Sequence, residues 1–247
     1  MPRTKQARTE SSTEPKDRAS GSRLALLLAA EKLFALHGLN GVSLRQVVAA
    51  ARQRNTSMVH YHFGSREALV YAICDYRMSA IESERAQFIA RYLEAPPEPA
   101  KRVAAVVNLL IEPSAQPIIA SRGRSHARRL LAHSFVSGTF DLPSLIRERH
   151  YSSIRQVAGL LRQECPHLSS TTFAIRWALL LRSNAYLMAN LEARVERMPW
   201  RDAEQLLRIE MREIAIAFAG VFVAPDSNEA DAPASVTKSR QPKVQTV

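Results

Sequence analysis

A chain of 247 residues can bury one large core or two smaller ones, and its 34 Lys and Arg against 23 Asp and Glu give a formal net charge of +11. This excess favours a polyanionic partner, because basic groups that neutralise phosphates release counterions, although a basic surface can also simply be solvated. The longest apolar runs are interrupted by Arg or Asn, which argues against a membrane span. The two cysteines, Cys74 and Cys165, have no second cysteine nearby, which argues against a disulfide framework and for a reducing cytoplasm.

The two ends of the chain are polar and lack periodic apolar residues. Residues 1–22 and 224–247 are therefore predicted to be a disordered arm and a disordered tail, and the N-terminus lacks the apolar core of a signal peptide. Between them, apolar residues recur at helical spacing, and no run alternates with a period of two for long enough to make a strand. The sequence predicts an all-α protein.

The first two helices are indicated by their boundaries. A helix over about 23–37 is predicted to end at Gly38, which suits the left-handed residue that terminates many helices. The second helix opens at Ser43, and Gln46 follows three residues later, which is the spacing of a capping box. Apolar residues at i, i+3, i+4 and i+7 then give this short helix one buried stripe.

A third short helix and a long fourth helix follow. The third begins near Asn55 or Thr56, either of which can cap it, and ends at Gly64. Ser65 caps the fourth helix, whose inner side is predicted to include Tyr76. Two short helices joined by a tight turn and packed between longer ones are typical of a helix-turn-helix unit, in which the third helix enters the DNA major groove.

The outward face of the third helix and its surroundings is rich in polar and basic side chains. Residues near the helix start suit base edges, since Asn pairs bidentately with adenine and hydroxyl groups adapt to several partners. Basic residues and the amides at a helix start suit phosphates. The predicted DNA-binding residues are Ser43, Arg45, Arg54, Asn55, Thr56, Ser57, His60, Tyr61 and Arg66.

Two stretches, AAEKLFALHGLNGVSLRQVVAAA and RNTSMVHYHFGSREALVYAI, carry a set of residues at fixed spacing: Phe34, Gly38, Ser43, Tyr61, His62, Phe63, Arg66 and Glu67. With this set the chain resembles the N-terminal domain of the tetracycline-repressor (TetR) family of transcriptional regulators. The resemblance implies an all-helical dimer with a DNA-binding domain, here 23–70, and a larger regulatory domain, here 71–223, that encloses a small-molecule pocket. One departure is Arg52, in a turn where many relatives carry glycine; it either strains the turn or adds a phosphate contact.

The second half of the chain is predicted to form five more helices after a proline-rich hinge, at about 100–112, 118–136, 143–163, 169–196 and 200–223. The last two are apolar on two sides, so each is expected to pack against another helix on both sides. We expect them to pack against a second copy as a four-helix bundle, although a larger monomeric core is the alternative. The predicted interface comprises Leu180, Leu187, Leu191, Leu207, Met211, Ile214 and Phe218.

Polar and aromatic residues within these apolar helices are candidates for an effector pocket: His126, His133, Phe135, Trp177, Asn184 and Tyr186. Their surroundings suggest an apolar organic effector. Arg176 would suit an anionic ligand if it faced inward, but a surface salt bridge is the simpler interpretation.

Metal and enzyme chemistry find little support in the sequence. His60 and His62 are two residues apart, so on a helix they point in nearly opposite directions and cannot share a metal, and no cofactor is expected. There is no Gly-rich phosphate loop, nucleophile elbow or metal-binding helix motif. The chain is therefore predicted not to be an enzyme.

These features predict a cytoplasmic, homodimeric, DNA-binding transcriptional regulator. We expect a repressor that binds a palindromic operator and is released by a small organic effector, with no role at a membrane. The alternative is a helical interaction protein that binds RNA or a protein partner without sequence-specific DNA recognition.

Overall fold

The computed structural model describes residues 15–137 and 150–226, and these ranges are helical without any strand. The predicted all-α fold with an N-terminal helix-turn-helix unit is thereby confirmed. The described ranges contain nine helices: α1 (Pro15–His37), α2 (Leu44–Ala50), α3 (Ser57–Phe63), α4 (Arg66–Glu94), α5 (Pro99–Ala120), α6 (Ala127–Ser137), α7 (Ser152–Glu164), α8 (Ser170–Val195) and α9 (Trp200–Val223).

Helix α1 begins earlier than the apolar pattern indicates. It starts at Pro15, eight residues before the predicted start near Arg23, so residues 15–22 are helical and do not belong to a disordered arm. Proline suits the first turn of a helix, because its missing N–H has no partner there in any case. Periodicity could not reveal this turn, since the residues that form it are polar.

The first residues of the predicted disordered tail are also ordered. Asp226 is buried, and its carboxylate accepts hydrogen bonds from the backbone N–H of Ser169 at 2.5 Å and from the hydroxyl of Thr172 at 2.8 Å. Arg176 donates to the carbonyls of Ala224 and Pro225, both at 2.7 Å. Arg176 therefore holds the chain after α9 against α8.

The predicted break between helices 100–112 and 118–136 lies in the wrong place. Helix α5 runs through two buried prolines, Pro113 and Pro117, and the chain turns only after Ala120, where Gly123 adopts a φ of +76°. Proline within a helix costs about 3 kcal/mol, and here the apolar residues that α5 buries on either side offset that cost. The predicted helix over 143–163 corresponds to α7, and its residues 143–149 lie outside the described ranges.

The described residues form two large hydrophobic cores and, between α4 and α6, a small cluster of Cys74, Met78, Ile81 and Leu131. The smaller of the two large cores joins α1, α2, α3 and the start of α4 around residues such as Phe34, Val47 and Val59, and Leu130 of α6 packs into it. The larger core joins α5, α7, α8 and α9. Helix α4 contributes to both, so it links the helix-turn-helix domain to the larger one; its Tyr76, predicted to face inward, is exposed.

One described helix, α5, is long and apolar enough to cross a membrane by length and composition. More than half of its most apolar window is buried inside the protein, as in the core helix of a globular domain. The residues that make it apolar therefore belong to the larger core.

Candidate nucleic-acid interface

Helix α2 begins with the capping box that the sequence predicts. The hydroxyl of Ser43 accepts from the backbone N–H of Gln46 at 3.3 Å, and the Gln46 side chain accepts from the N–H of Ser43 at 2.7 Å. Val47 and Val48 are buried beneath the helix. This fixes α2 against the domain core and leaves the exposed side chains of Ser43 and Arg45 on its outer side.

The turn between α2 and α3 contains a strained residue. Arg52 has a φ of +55°, in the left-handed region that costs a residue with a Cβ about 1–2 kcal/mol. The turn is held by the N–H of Arg52 donating to Ala49 and the N–H of Gln53 donating to Val48. The structure therefore gives Arg52 the backbone conformation for which glycine is suited, and its exposed side chain stays beside α3.

Replacing Arg52 by glycine is expected to raise the free energy of unfolding by about 0.5–1 kcal/mol, because relief of the positive φ exceeds the entropy cost of glycine. Urea denaturation measures the change. Arg54→Gly is the matched control: Arg54 lies in the same loop without a positive φ, so it is expected to gain nothing. A loss of stability in the Arg52 variant equal to that of the control would show that the turn is not strained.

Helix α3 is anchored by one fully buried side chain, Val59, and presents most of its polar residues to solvent. Thr56 stands at the N-cap position without a side-chain cap, whereas the side-chain oxygen of Asn55 accepts from the N–H of Ser57 at 3.0 Å. Asn55, Ser57 and Tyr61 are exposed, Tyr61 by 77%. The side chains of Ser57 and Tyr61 are available to an outside partner, whereas Asn55 offers its amide N–H groups while its oxygen accepts from Ser57.

The two histidines of α3 have different surroundings. Nδ1 of His60, an exposed residue, lies 2.9 Å from the carbonyl of Gly64 and donates to it, so Nε2 of the neutral ring is a hydrogen-bond acceptor. His62 is half-buried and meets Tyr61 and Phe63 edge-on; burial, aided by the charge of Arg23, lowers the pKa of His62. Among the described residues no group of three His, Cys, Asp or Glu side chains is placed to hold a metal ion.

Arg66 has a packing role that the sequence did not indicate. Its guanidinium donates to the carbonyl of Leu39 and lies over the ring of Phe34, 5.4 Å from the centroid. The helix that follows is capped by Ser65, whose hydroxyl accepts from the N–H of Ala68 at 3.0 Å. Arg66 therefore joins the start of α4 to the end of α1, and its predicted phosphate contact stays a prediction.

Charge reinforces the character of this face. The 35 residues from Lys32 to Arg66 contain no Asp or Glu, whereas Arg45, Arg52 and Arg54 are all exposed. A segment that exposes several cations attracts phosphates. Arg52, for which the sequence left strain in the turn or a phosphate contact open, has the positive φ of a strained residue, and it is also exposed.

The predicted effector-pocket residues do not converge on one cavity. Tyr186 and His133 are exposed, and the side chain of Phe135 lies outside the described residues. Asn184 is buried and donates to the hydroxyl of Ser114 at 3.0 Å, Trp177 packs against the larger core, and His126 is buried beside Glu196.

The predicted dimer residues lie on the inner side of the last two helices. Leu180, Leu191, Leu207 and Met211 are buried in the core of the single chain, and Leu187, Ile214 and Phe218 are half-buried. A side chain without accessible surface cannot reach a partner, so the four buried residues belong to the core. The outer stripe carries the exposed apolar residues, from 46% to 68% exposed: Ile175, Leu179, Tyr186, Ile209, Ile216 and Val223.

Comparison with known proteins supports the DNA-binding interpretation of the first domain. Residues 26–73 match the family model for bacterial regulatory proteins of the tetR family. Solved structures described as TetR-family transcriptional regulators share the fold: one from Mesorhizobium loti MAFF303099 has 15% identity, a TM-score of 0.51 and coverage of 83% of this chain and 96% of its own. One from Shewanella sp. PV-4 has 15% identity, a TM-score of 0.52 and coverage of 80% and 95%. No curated protein matches the sequence.

Proposed function

We propose that this chain, whose residues 26–73 match the family model for bacterial regulatory proteins of the tetR family, is a repressor that binds a palindromic operator and is released by a small effector. The match supports DNA-binding regulation of transcription. The observation that supports the finer proposal is the outward face of α3, which is exposed, polar and surrounded by arginines. The proposed site of action is the cytoplasm, and no catalytic step is required.

In the proposed complex, α3 lies in the major groove. Asn55, Ser57 and His60 read base edges, since their side chains offer both donors and acceptors at the exposed start of the helix. Arg45 and Arg54 contact phosphates on either side and set the position of the helix without reading sequence. The division between the two groups makes the proposal testable residue by residue.

Selection of bound duplexes from a random-sequence DNA pool at about 0.15 M salt tests this proposal. The wild-type protein is expected to enrich a twofold-symmetric sequence, and Asn55→Ala is expected to relax preference at a few positions in each half, at a cost of about 1–3 kcal/mol per lost bidentate pair. Gln163→Ala, at an exposed residue of α7, is the matched control and should select the wild-type sequence. Enrichment of nothing by the wild type would instead favour a protein that binds RNA or another protein.

The proposed dimer uses the outer stripe of α8 and α9. An exposed apolar surface of this extent is typical of an interface, and two helices from each copy would bury it in a four-helix bundle. A twofold axis through that bundle would present two α3 helices to two half-sites.

Ile216→Glu is expected to convert the dimer to a monomer, because it places a charge at the centre of the apolar stripe on α9. Operator affinity should then fall about 100-fold, since the two half-sites are no longer bound together. Sedimentation equilibrium measures the mass, and Gln163→Glu, on the exposed side of α7, is the control. A dimeric Ile216→Glu protein would contradict the assignment of this stripe.

Release by an effector requires a connection between the two domains. Helix α4 contributes to both cores, so a movement of its second half displaces its first turns and the α3 helix packed on them. A ligand can shift the equilibrium between DNA-bound and released forms only by its difference in affinity for the two.

A further inference from the structure

A narrow crevice lies between α4 and α6, at the junction of the two domains. Its walls are mainly apolar, with Ile73, Met78 and Ile81 on α4 facing Leu130 and Leu131 on α6. The enclosed part has room for about one water molecule. Two cations line it: Arg77 of α4, which is paired with Glu31, and Arg128 at the start of α6.

Arg128 is only 4% exposed, and its Nε has no hydrogen-bond partner among the described residues. Arg85, one helical turn beyond Ile81 on α4, lies next to the crevice lining and is 2% exposed. Its Nη1 donates to the hydroxyl of Ser153 at 3.0 Å, and its Nε is likewise without a partner among the described residues. Buried arginine nitrogens are normally bonded, so two unsatisfied ones in neighbouring side chains require an explanation.

The carboxylates near these two arginines are committed elsewhere. Glu82 accepts from the N–H and hydroxyl of Ser153 at 2.8 and 2.7 Å, while its distance to the Arg85 guanidinium is 3.5 Å. Glu192 accepts from the backbone N–H groups of Arg128 and Arg129. Each carboxylate is therefore shared between the arginine beside it and other donors.

Electrostatics supports this description. Burial lowers the pKa of Arg128 to about 10, with Glu192 opposing the change. Burial likewise lowers the pKa of Arg85 to about 10, and the charge of Arg128 contributes in the same direction, so the two cations are close enough to repel each other. Both remain charged at neutral pH, and an anion placed between them would relieve the repulsion.

We propose that this crevice binds the carboxylate of a small organic acid, with Arg128 and Arg85 as its cationic partners and the apolar walls of α4 and α6 around its hydrocarbon part. This inference rests on the proposed function, because it names the chemical class of the effector. It replaces the apolar effector expected from the sequence with an amphipathic one.

The location gives such a ligand a route to the DNA-binding domain. Leu130 lies in the crevice wall and also packs into the core of the helix-turn-helix domain. Because the crevice is narrow, the hydrocarbon part of an acid has to separate α4 from α6. That separation would move Leu130 relative to α1, against which α6 packs.

Thermal unfolding of the full chain without DNA tests the proposal. The probes are the straight-chain carboxylates of two to eight carbons, each compared with its primary amide at equal ionic strength, because the amide has the same shape without the charge. At least one acid is expected to raise the Tm by about 2 °C or more beyond its amide. Arg128→Gln and Arg85→Gln should each abolish this difference, and Arg155→Gln, an exposed arginine of α7, should retain it.

Equal shifts for every acid and its amide, or no shift for any, would overturn the proposal, and so would an acid-specific shift that persists in both variants. If neither variant folds, the comparison of acid with amide in the wild-type protein still tests acid binding, and the absence of a difference still overturns the proposal. Failure here is distinguishable from failure of the proposed function, since selection of DNA sequences is measured separately and without any acid.

Discussion

Alanine in place of Arg66 is expected to lower the free energy of unfolding by about 2 kcal/mol and to weaken DNA binding, whereas alanine in place of Tyr61 should weaken DNA binding alone. Arg66 loses a charged hydrogen bond to Leu39 and its contact with the ring of Phe34, which are worth about 1.5–3 and 0.5–1 kcal/mol respectively before solvent exposure reduces them. Tyr61 is 77% exposed, so its removal should change stability by no more than about 0.5 kcal/mol.

The two variants are compared by urea denaturation and by titration of a labelled duplex. For Tyr61→Ala we expect about a tenfold loss of affinity, equivalent to one lost hydrogen bond to a phosphate. Arg66→Lys separates charge from packing: lysine retains the charge but not the planar contact with Phe34. If the lysine variant were as stable as wild type, Arg66 would act through its charge, and the packing role assigned to it would be wrong.

Glutamine in place of Glu192 is expected to cost about 3–5 kcal/mol of stability, the largest effect among these variants. Glu192 is 0% exposed, and its carboxylate accepts from the N–H groups of Arg128 and Arg129 while its Oε2 lies 3.5 Å from Nε of Arg129. Removing the negative charge leaves the nearby arginines without a compensating anion. The NH2 group of the new amide would also face backbone N–H groups, which are donors and cannot accept a hydrogen bond. The Tm should fall by about 10 °C.

Glu196→Gln is the matched control, one turn further along α8. Glu196 also contacts Arg129, at 2.7 Å, but its side chain is 31% exposed and solvent can replace the contact. We expect a cost of about 1 kcal/mol or less. Equal losses for the two variants would mean that burial of Glu192 is not what makes it important.

The helix-turn-helix domain could be predicted from the sequence because its determinants are local. The capping box of Ser43 and Gln46 and the cap at Ser65 each act over three residues, and both are present in the structure. The packing role of Arg66 could not be predicted, since its partner Leu39 lies 27 residues away in the chain. Its spacing fits a phosphate contact equally well.

The larger domain is harder to predict because its helices are apolar on more than one side, so the sequence alone does not show which side packs inward. The apolar residues of α8 and α9 lie on two sides of each helix, and only the structure distinguishes the packed inner stripe around Leu180 from the exposed outer one around Ile216. The break predicted between residues 112 and 118 is wrong. Burial of α5 in the core outweighs the tendency of its two prolines to end a helix. The crevice at Arg128 depends on contacts between α4 and α6, which no local pattern encodes.

Sequence-specific DNA binding is the central claim, and footprinting of the purified protein on the DNA upstream of its own gene tests it most directly. The measurement is made at about 0.15 M salt with excess nonspecific competitor, so that attraction between a basic surface and phosphates does not suffice. We predict one discrete protected site with twofold symmetry, occupied by two chains or a multiple of two. Binding that disappears entirely with competitor, in protein freed of any bound ligand by unfolding and refolding, would contradict the claim.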